Sequence, residues 1–254
     1  MLRKEEIPIL EFDDASEPLI NPSNFKTFDF DSDKLVITFF PDVIERLLQE
    51  GKIKEHYFIK GENPLRIYQF TDGSNTLIVH GYIGCPACAS DLDLFNAFGS
   101  KKVMFCGGGG VLDKDIKVGQ LLLVDGAIRD EGFSYHYLPA GRIVDANKVL
   151  NDKVADYLDK HNIDYLRGLV WTTDAIFRET KDKIALRKKE GAKIVEMEQA
   201  GCLAVAKVRG FDYAAIIYGG DDCANDTWDK RSWNSRNGIR YDLVLLCKDI
   251  LEEM

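Results

Sequence analysis

The stretch that decides the fold is Val170-Trp-Thr-Thr-Asp-Ala-Ile-Phe-Arg-Glu-Thr180, followed by Gly191-Ala-Lys-Ile-Val-Glu-Met-Glu-Gln-Ala-Gly-Cys-Leu-Ala204 and then Ala214-Ala-Ile-Ile-Tyr-Gly-Gly-Asp-Asp222. Short apolar runs end in carboxylates: Glu196 and Glu198 after one, Asp221 and Asp222 after another. In an α/β protein, strand ends bring acids from distant parts of the chain to one edge of the sheet, where ligands bind. That pattern points to an enzyme.

Outward from this stretch, apolar runs alternate with helical patterns. Strands are predicted at Leu35–Phe40, Leu77–His80, Lys102–Phe105, Leu121–Val124, Leu169–Trp171 and Tyr213–Tyr218. Helices are predicted at 41–51, opened by Pro41 and stopped by Gly51, and around 89–98, 147–160, 181–190, 198–209 and 238–252. The alternation predicts a mostly parallel sheet flanked by helices. Residues 1–34, with Pro18, Pro22 and Asn24 in an acidic context, read as an irregular leader, and 35–254 as one catalytic domain.

With 254 residues and 45% hydrophobic content, the chain has ample material for a core. A net charge of -9 disfavours nucleic acid and anionic membranes as partners, because both require a basic footprint. The first ten residues, interrupted by Glu5, Glu6 and Pro8, do not read as a signal peptide, and no later run is long enough to span a bilayer. A cytoplasmic location is expected, with the six cysteines as reduced thiols.

Several motifs stand at the predicted strand ends. Cys106-Gly-Gly-Gly-Gly-Val-Leu112 places Gly108, Gly109 and Gly110 where a backbone can approach a ligand or make a tight packing turn. It is neither a dinucleotide fingerprint nor a Walker A loop. Glu196 and Glu198 flank Met197: a carboxylate can accept from both hydroxyls of a ribose diol, or can complement a helix dipole. Asp221 can be a helix cap or a general acid. Cys85-Pro-Ala-Cys88 lacks the further ligands of a zinc site and reads as two buried thiols; no metal is expected. His136 reads as structural, although its aromatic, polar loop can reach a pocket. Trp228 and Trp233 can form a lid or cover the core.

Taken in order, Gly81–Ala87, the glycine run, Val118–Tyr137, Thr172–Thr180, Val195-Glu-Met-Glu198 and the Asp221-Asp222 strand end resemble the nucleoside phosphorylase-I superfamily. That group includes purine nucleoside and uridine phosphorylases and related nucleosidases. The resemblance runs from about residue 35 to the C-terminus. It implies a single α/β domain with a mixed, partly barrel-like central sheet, and a homo-oligomer, a dimer or trimer of dimers, with sites near subunit contacts. Met197 and Glu198 then match the residues under the ribose, and Ile176 and Phe177 the segment beside the base. Arg178 stands within reach of a base carbonyl oxygen. Asp221 matches the acid that protonates a purine leaving group at N7.

The implied partner is a small-molecule nucleoside, with no cofactor and phosphate as a possible co-substrate. Departures concern the phosphate half. Phe39-Phe40-Pro41-Asp42 replaces a Gly-Asp-Pro loop, Phe105 stands in place of an Arg, and Gly108 in place of a Ser or Thr. A phosphate dianion needs charge-assisted donors, which Arg supplies bidentately. Three readings follow: phosphorolysis of a nucleoside, a purine for preference, with phosphate ligands such as Arg129, Arg178 or Arg231 drawn from elsewhere; hydrolysis by water; or nucleoside binding without turnover.

Overall fold

Strand β5 (Lys102–Val111) is the axis of the molecule, and the glycine run lies inside it. In this computed structural model, which describes residues 2–14, 17–225, 227–232 and 236–254, Gly107 to Gly110 are therefore strand and not the loop expected after Phe105. The reason is crowding. A Cβ on Gly109 would lie 2.5 Å from both the Ile194 side chain and the Val195 carbonyl oxygen, and one on Gly110 2.8 Å from Cys223 Sγ. The glycines let neighbouring strands close on β5.

Those neighbours are β9 (Ala192–Glu196), antiparallel to β5, and β10 (Asp212–Asp222), parallel to it. β10 pairs with β6 (Leu121–Asp130), β6 with β8 (Tyr165–Thr173), and β8 with β9. The circuit β5-β10-β6-β8-β9 closes on itself as a five-stranded barrel. From β5 an open wing continues through β1 (Lys34–Thr38), β4 (Leu77–His80), β3 (Leu65–Phe70) and β2 (Ile53–Ile59), and β7 (Ile143–Asp145) pairs with β6.

The sheet is mixed and not mostly parallel: β2–β3, β3–β4, β5–β9, β6–β7 and β6–β10 are antiparallel. Strands β2, β3 and β7 were not among the strands read from the sequence, because partly exposed strands carry weak apolar runs; β9 was read only as the short apolar run before Glu196.

The helices are α1 (Pro41–Gln49), α2 (Cys85–Phe98), α3 (Lys148–Lys160), α4 (Lys181–Lys189), α5 (Gln199–Arg209) and α6 (Asn237–Glu253). One apolar layer joins α2 and α5 to the sheet through Leu92, Phe95, Leu203 and Val205. A second joins α1, α3 and α6 through Leu47, Val154, Val244 and Leu251. Both layers are held by burial, at roughly 25 cal/mol per Å² of apolar surface. Before β1 the described chain contains only two 3-10 turns, Pro8–Leu10 and Pro22–Phe25. No helix among the described residues is long and apolar enough to cross a membrane.

Candidate active site

The C-terminal ends of β5, β8, β9 and β10 meet around two carboxylate groups. Glu196, the last residue of β9, turns inward. Its Oε2 accepts from Glu198 N at 2.6 Å and Gln199 N at 2.8 Å, and Oε1 accepts from the Thr172 hydroxyl. Thr172 in turn accepts from Ala200 N at 3.0 Å. Three N–H groups at the start of α5 are thus satisfied by β8 and β9 side chains. Glu196 is a buried anchor.

Glu198, at the N-cap of α5, points the other way along the sheet edge. Its Oε1 accepts from Gly84 N at 2.8 Å and Oε2 from Met197 N at 3.3 Å, with the residue 7% exposed. Gly84 has φ +93, a left-handed conformation that suits glycine and aims its N–H at the carboxylate. Burial pushes both carboxyl groups up, Glu196 also through the charge of Glu198.

Asp221 lies in a register break of β10 against β5, between the pairs Gly219–Gly109 and Asp222–Val111. Such a bulge re-aims side chains, and the two aspartates diverge. Asp222 is buried in its own loop, accepting from Ala224 N and Asn225 Nδ2, each at 2.7 Å. Asp221 instead faces the barrel end, 3.5 Å from the position a Gly110 Cβ would take. Its Oδ2 accepts from Trp228 Nε1 at 2.6 Å and from the Cys223 thiol at 3.7 Å.

Glu179, not singled out from the sequence beyond its place in Arg178-Glu-Thr180, belongs to this group. Burial, then the charge of Asp221, pushes its carboxyl up to about 7. Burial, with Asp221 and Glu179 next, pushes the Cys223 thiol up to about 12.

Ile176, Phe177 and Arg178 form a 3-10 turn just beyond β8 and are exposed, Phe177 at 96%. They stand at the rim and enclose nothing within one chain.

Aromatic side chains fill the region where phosphate ligands were sought. Phe39 packs on Phe105 with ring centroids 5.1 Å apart, and Phe40 on Tyr218 at 5.9 Å. A Cβ on Gly108 would meet the Tyr218 ring at 2.9 Å, and one on Gly81 would meet Phe39 at 2.8 Å. Arg240 donates to Tyr218 Oη at 3.1 Å and to Asp42 at 3.1 Å, with its guanidinium over Phe40. Arg129 is spent inside the loop after β6, donating to Ser134 Oγ and to the carbonyls of Leu138 and Pro139. Arg231 donates to the Ile116 carbonyl. Of the arginines proposed to rebuild an anion site, only Arg178 stands exposed at the rim.

Cys85 and Cys88 are free buried thiols in the first turn of α2, both pushed well up, Cys85 chiefly by burial and Cys88 by its contact with Cys202 and then burial. Cys88 lies 3.8 Å from Cys202 Sγ. No group of three or more metal-binding side chains occurs among the described residues. His136 lines a separate cavity of about 860 Å³ with leader residues, Asp91, Asp93, Tyr137 and Arg209. Trp233 lies outside the described residues.

Residues 33–240 match the family model described as the phosphorylase superfamily. The chain belongs to that superfamily. It is similar to a guanosine phosphorylase of Halorubrum lacusprofundi, 28% identical over 149 residues that cover 57% of this chain and 60% of the relative. The chain thus spans well under two thirds of that relative's length. A crystal structure of uridine phosphorylase from Vibrio fischeri ES114 superposes with a TM-score of 0.72 at 19% identity, covering 89% of this chain and 95% of the other. One of AMP nucleosidase from Bacteroides thetaiotaomicron gives 0.67 at 21%, covering 89% and 90%. These likenesses show the shared fold, a mixed sheet closed into a barrel-like core.

Proposed function

We propose that the chain cleaves the N-glycosidic bond of a purine nucleoside with water as the nucleophile. The observation that carries this is the aromatic filling of the anion region: Tyr218 occupies the space beside Gly108, and Phe39 packs on Phe105. A phosphate dianion there would face apolar rings in place of charge-assisted donors, whereas water has no dianion to hold.

Glu198 receives the ribose diol on oxygens already aimed by Gly84 and Met197, and Met197 lies beneath the sugar. The glycine strand, Gly108 to Gly110, forms the floor, and Glu196 fixes the α5 terminus that presents Glu198. Ile176 and Phe177 flank the base and Arg178 meets a carbonyl oxygen on it. As the C1′–N bond breaks, its electron pair goes to the base, which takes a proton from Asp221. The water oxygen bonds to C1′ and its released proton passes through solvent to restore Asp221, so that hydrolysis moves one proton in all from water to the base. Acid catalysis of this kind contributes about 10²–10⁴-fold. The chemistry needs no cofactor. The open apolar rim at Ile176 and Phe177 fits a second copy of the chain completing the site in a homo-oligomer.

Phosphorolysis is the second reading, favoured by the name of the guanosine phosphorylase relative. The test is a panel of inosine, guanosine, adenosine and uridine with and without phosphate. Free ribose from the purine nucleosides in both buffers supports hydrolysis; sugar phosphate formed only with phosphate supports the second reading.

A further inference from the structure

The chain after β10 turns back on itself. Asp222 N donates to Asp229 O at 2.8 Å and Asp229 N to Asp222 O at 3.1 Å. This two-bond bridge sets Trp228 against Asp221. The indole Nε1 donates to Oδ2 at 2.6 Å, while the residue is 60% exposed. An indole so open to solvent gains little from burial, so the N–H bond to Oδ2 is the contact that fixes it. Lys230 Nζ lies 5.5 Å from the ring centroid.

We infer that Trp228 is a latch on Asp221: in the free protein its indole N–H occupies the carboxylate oxygen that must meet the base, and a purine nucleoside displaces that bond in order to be cleaved. The inference rests on the glycosidic cleavage proposed above. Trp228 is thus a positioning residue. It keeps Oδ2 aimed across the barrel end while the site is empty and lowers apparent substrate affinity by the strength of the bond that has to be exchanged.

Trp228→Phe keeps an aromatic ring and removes the donor. Wild type, Trp228→Phe, Asp221→Ala and the double variant should be compared for hypoxanthine affinity by titration calorimetry and for kcat/KM with inosine. Removing a hydrogen bond that the base has to displace justifies a gain of about twofold to tenfold in hypoxanthine affinity for Trp228→Phe, with no gain when Asp221 is already Ala. Equal losses in both backgrounds, or no change in either, would overturn the latch. A readout independent of turnover is the Trp228 indole N–H resonance, assigned by its loss in Trp228→Phe. It should be protected from exchange in the wild type and should move in Asp221→Ala. An indole signal indifferent to Asp221 removes the latch. Failure of the wild type to cleave any nucleoside counts instead against the function above.

Discussion

The Tyr218 ring of β10 stands 2.9 Å from the point where Gly108 of β5 would carry a Cβ. Tyr218 is fully buried and its hydroxyl is held by Arg240 at 3.1 Å, so the ring has little room to yield. Gly108→Ala should therefore overpack the barrel wall and lower the unfolding free energy by about 1–3 kcal/mol. Chemical denaturation of the variant checks this; an unchanged midpoint would mean that the tyrosine is not a fixed plug.

Asp221 and Asp222 diverge, which sets the proposed acid apart from a carboxylate that holds its own loop. Asp221→Asn should reduce purine nucleoside turnover by about two orders of magnitude with little change in stability. Asp222→Asn should act mainly on its loop, which it holds through Ala224 N and Asn225 Nδ2, costing about 1–3 kcal/mol. Steady-state kinetics and thermal unfolding of both variants distinguish the roles, and the reverse pattern would reassign the acid.

Glu198→Gln keeps the size of the side chain but halves its capacity to accept from a diol, since only one oxygen remains. Turnover of ribonucleosides should fall by about 10²-fold. The 2′-deoxynucleoside, with one hydroxyl fewer to satisfy, should lose less. Equal losses on both sugars would place Glu198 away from the ribose.

Asp91 on α2 provides a pH test. Burial raises its carboxyl to about 7, and its Oδ2 has no hydrogen-bond partner among the described residues. Unfolded, it titrates at about 3.9. Between those values the folded protein binds more protons than the unfolded chain, so this group makes stability fall as pH rises from about 4 through 7. Asp91→Asn should thus raise the Tm at pH 8 relative to wild type and leave it close to wild type at pH 4. A variant less stable at pH 8 would show that the carboxylate has a partner in solution.

How much of this was legible in the sequence can be seen residue by residue. The helices were, α1 by Pro41 and Gly51 at its ends, although α2 begins at Cys85 and not near residue 89. The acids at strand ends were legible too, since a carboxylate after a buried run is conspicuous. The glycine run reads as a turn at a strand end, whereas it is strand packed closely by its neighbours. Its glycines answer to Ile194, Val195 and Tyr218, residues far along the chain that crowd β5 only once the barrel closes. Likewise Glu196 and Glu198 look equivalent in sequence, and only the turn into α5 makes one an anchor for Glu198 N and Gln199 N while the other faces Gly84. Glu179 gave no local signal, and Trp228 read only as part of a lid or a cover for the core. Their roles come from meeting Asp221 across the barrel end.

The central claim is that water replaces phosphate beside the Phe39, Phe105 and Tyr218 rings. It is tested most directly by cleaving inosine in phosphate-free buffer made with ¹⁸O-water and analysing the sugar by mass spectrometry at short times, against a control for exchange of unlabelled ribose. Ribose carrying one ¹⁸O from the first turnovers, at a rate unaltered by added phosphate, is the predicted result. No ribose without phosphate, and ribose 1-phosphate when it is added, would contradict it.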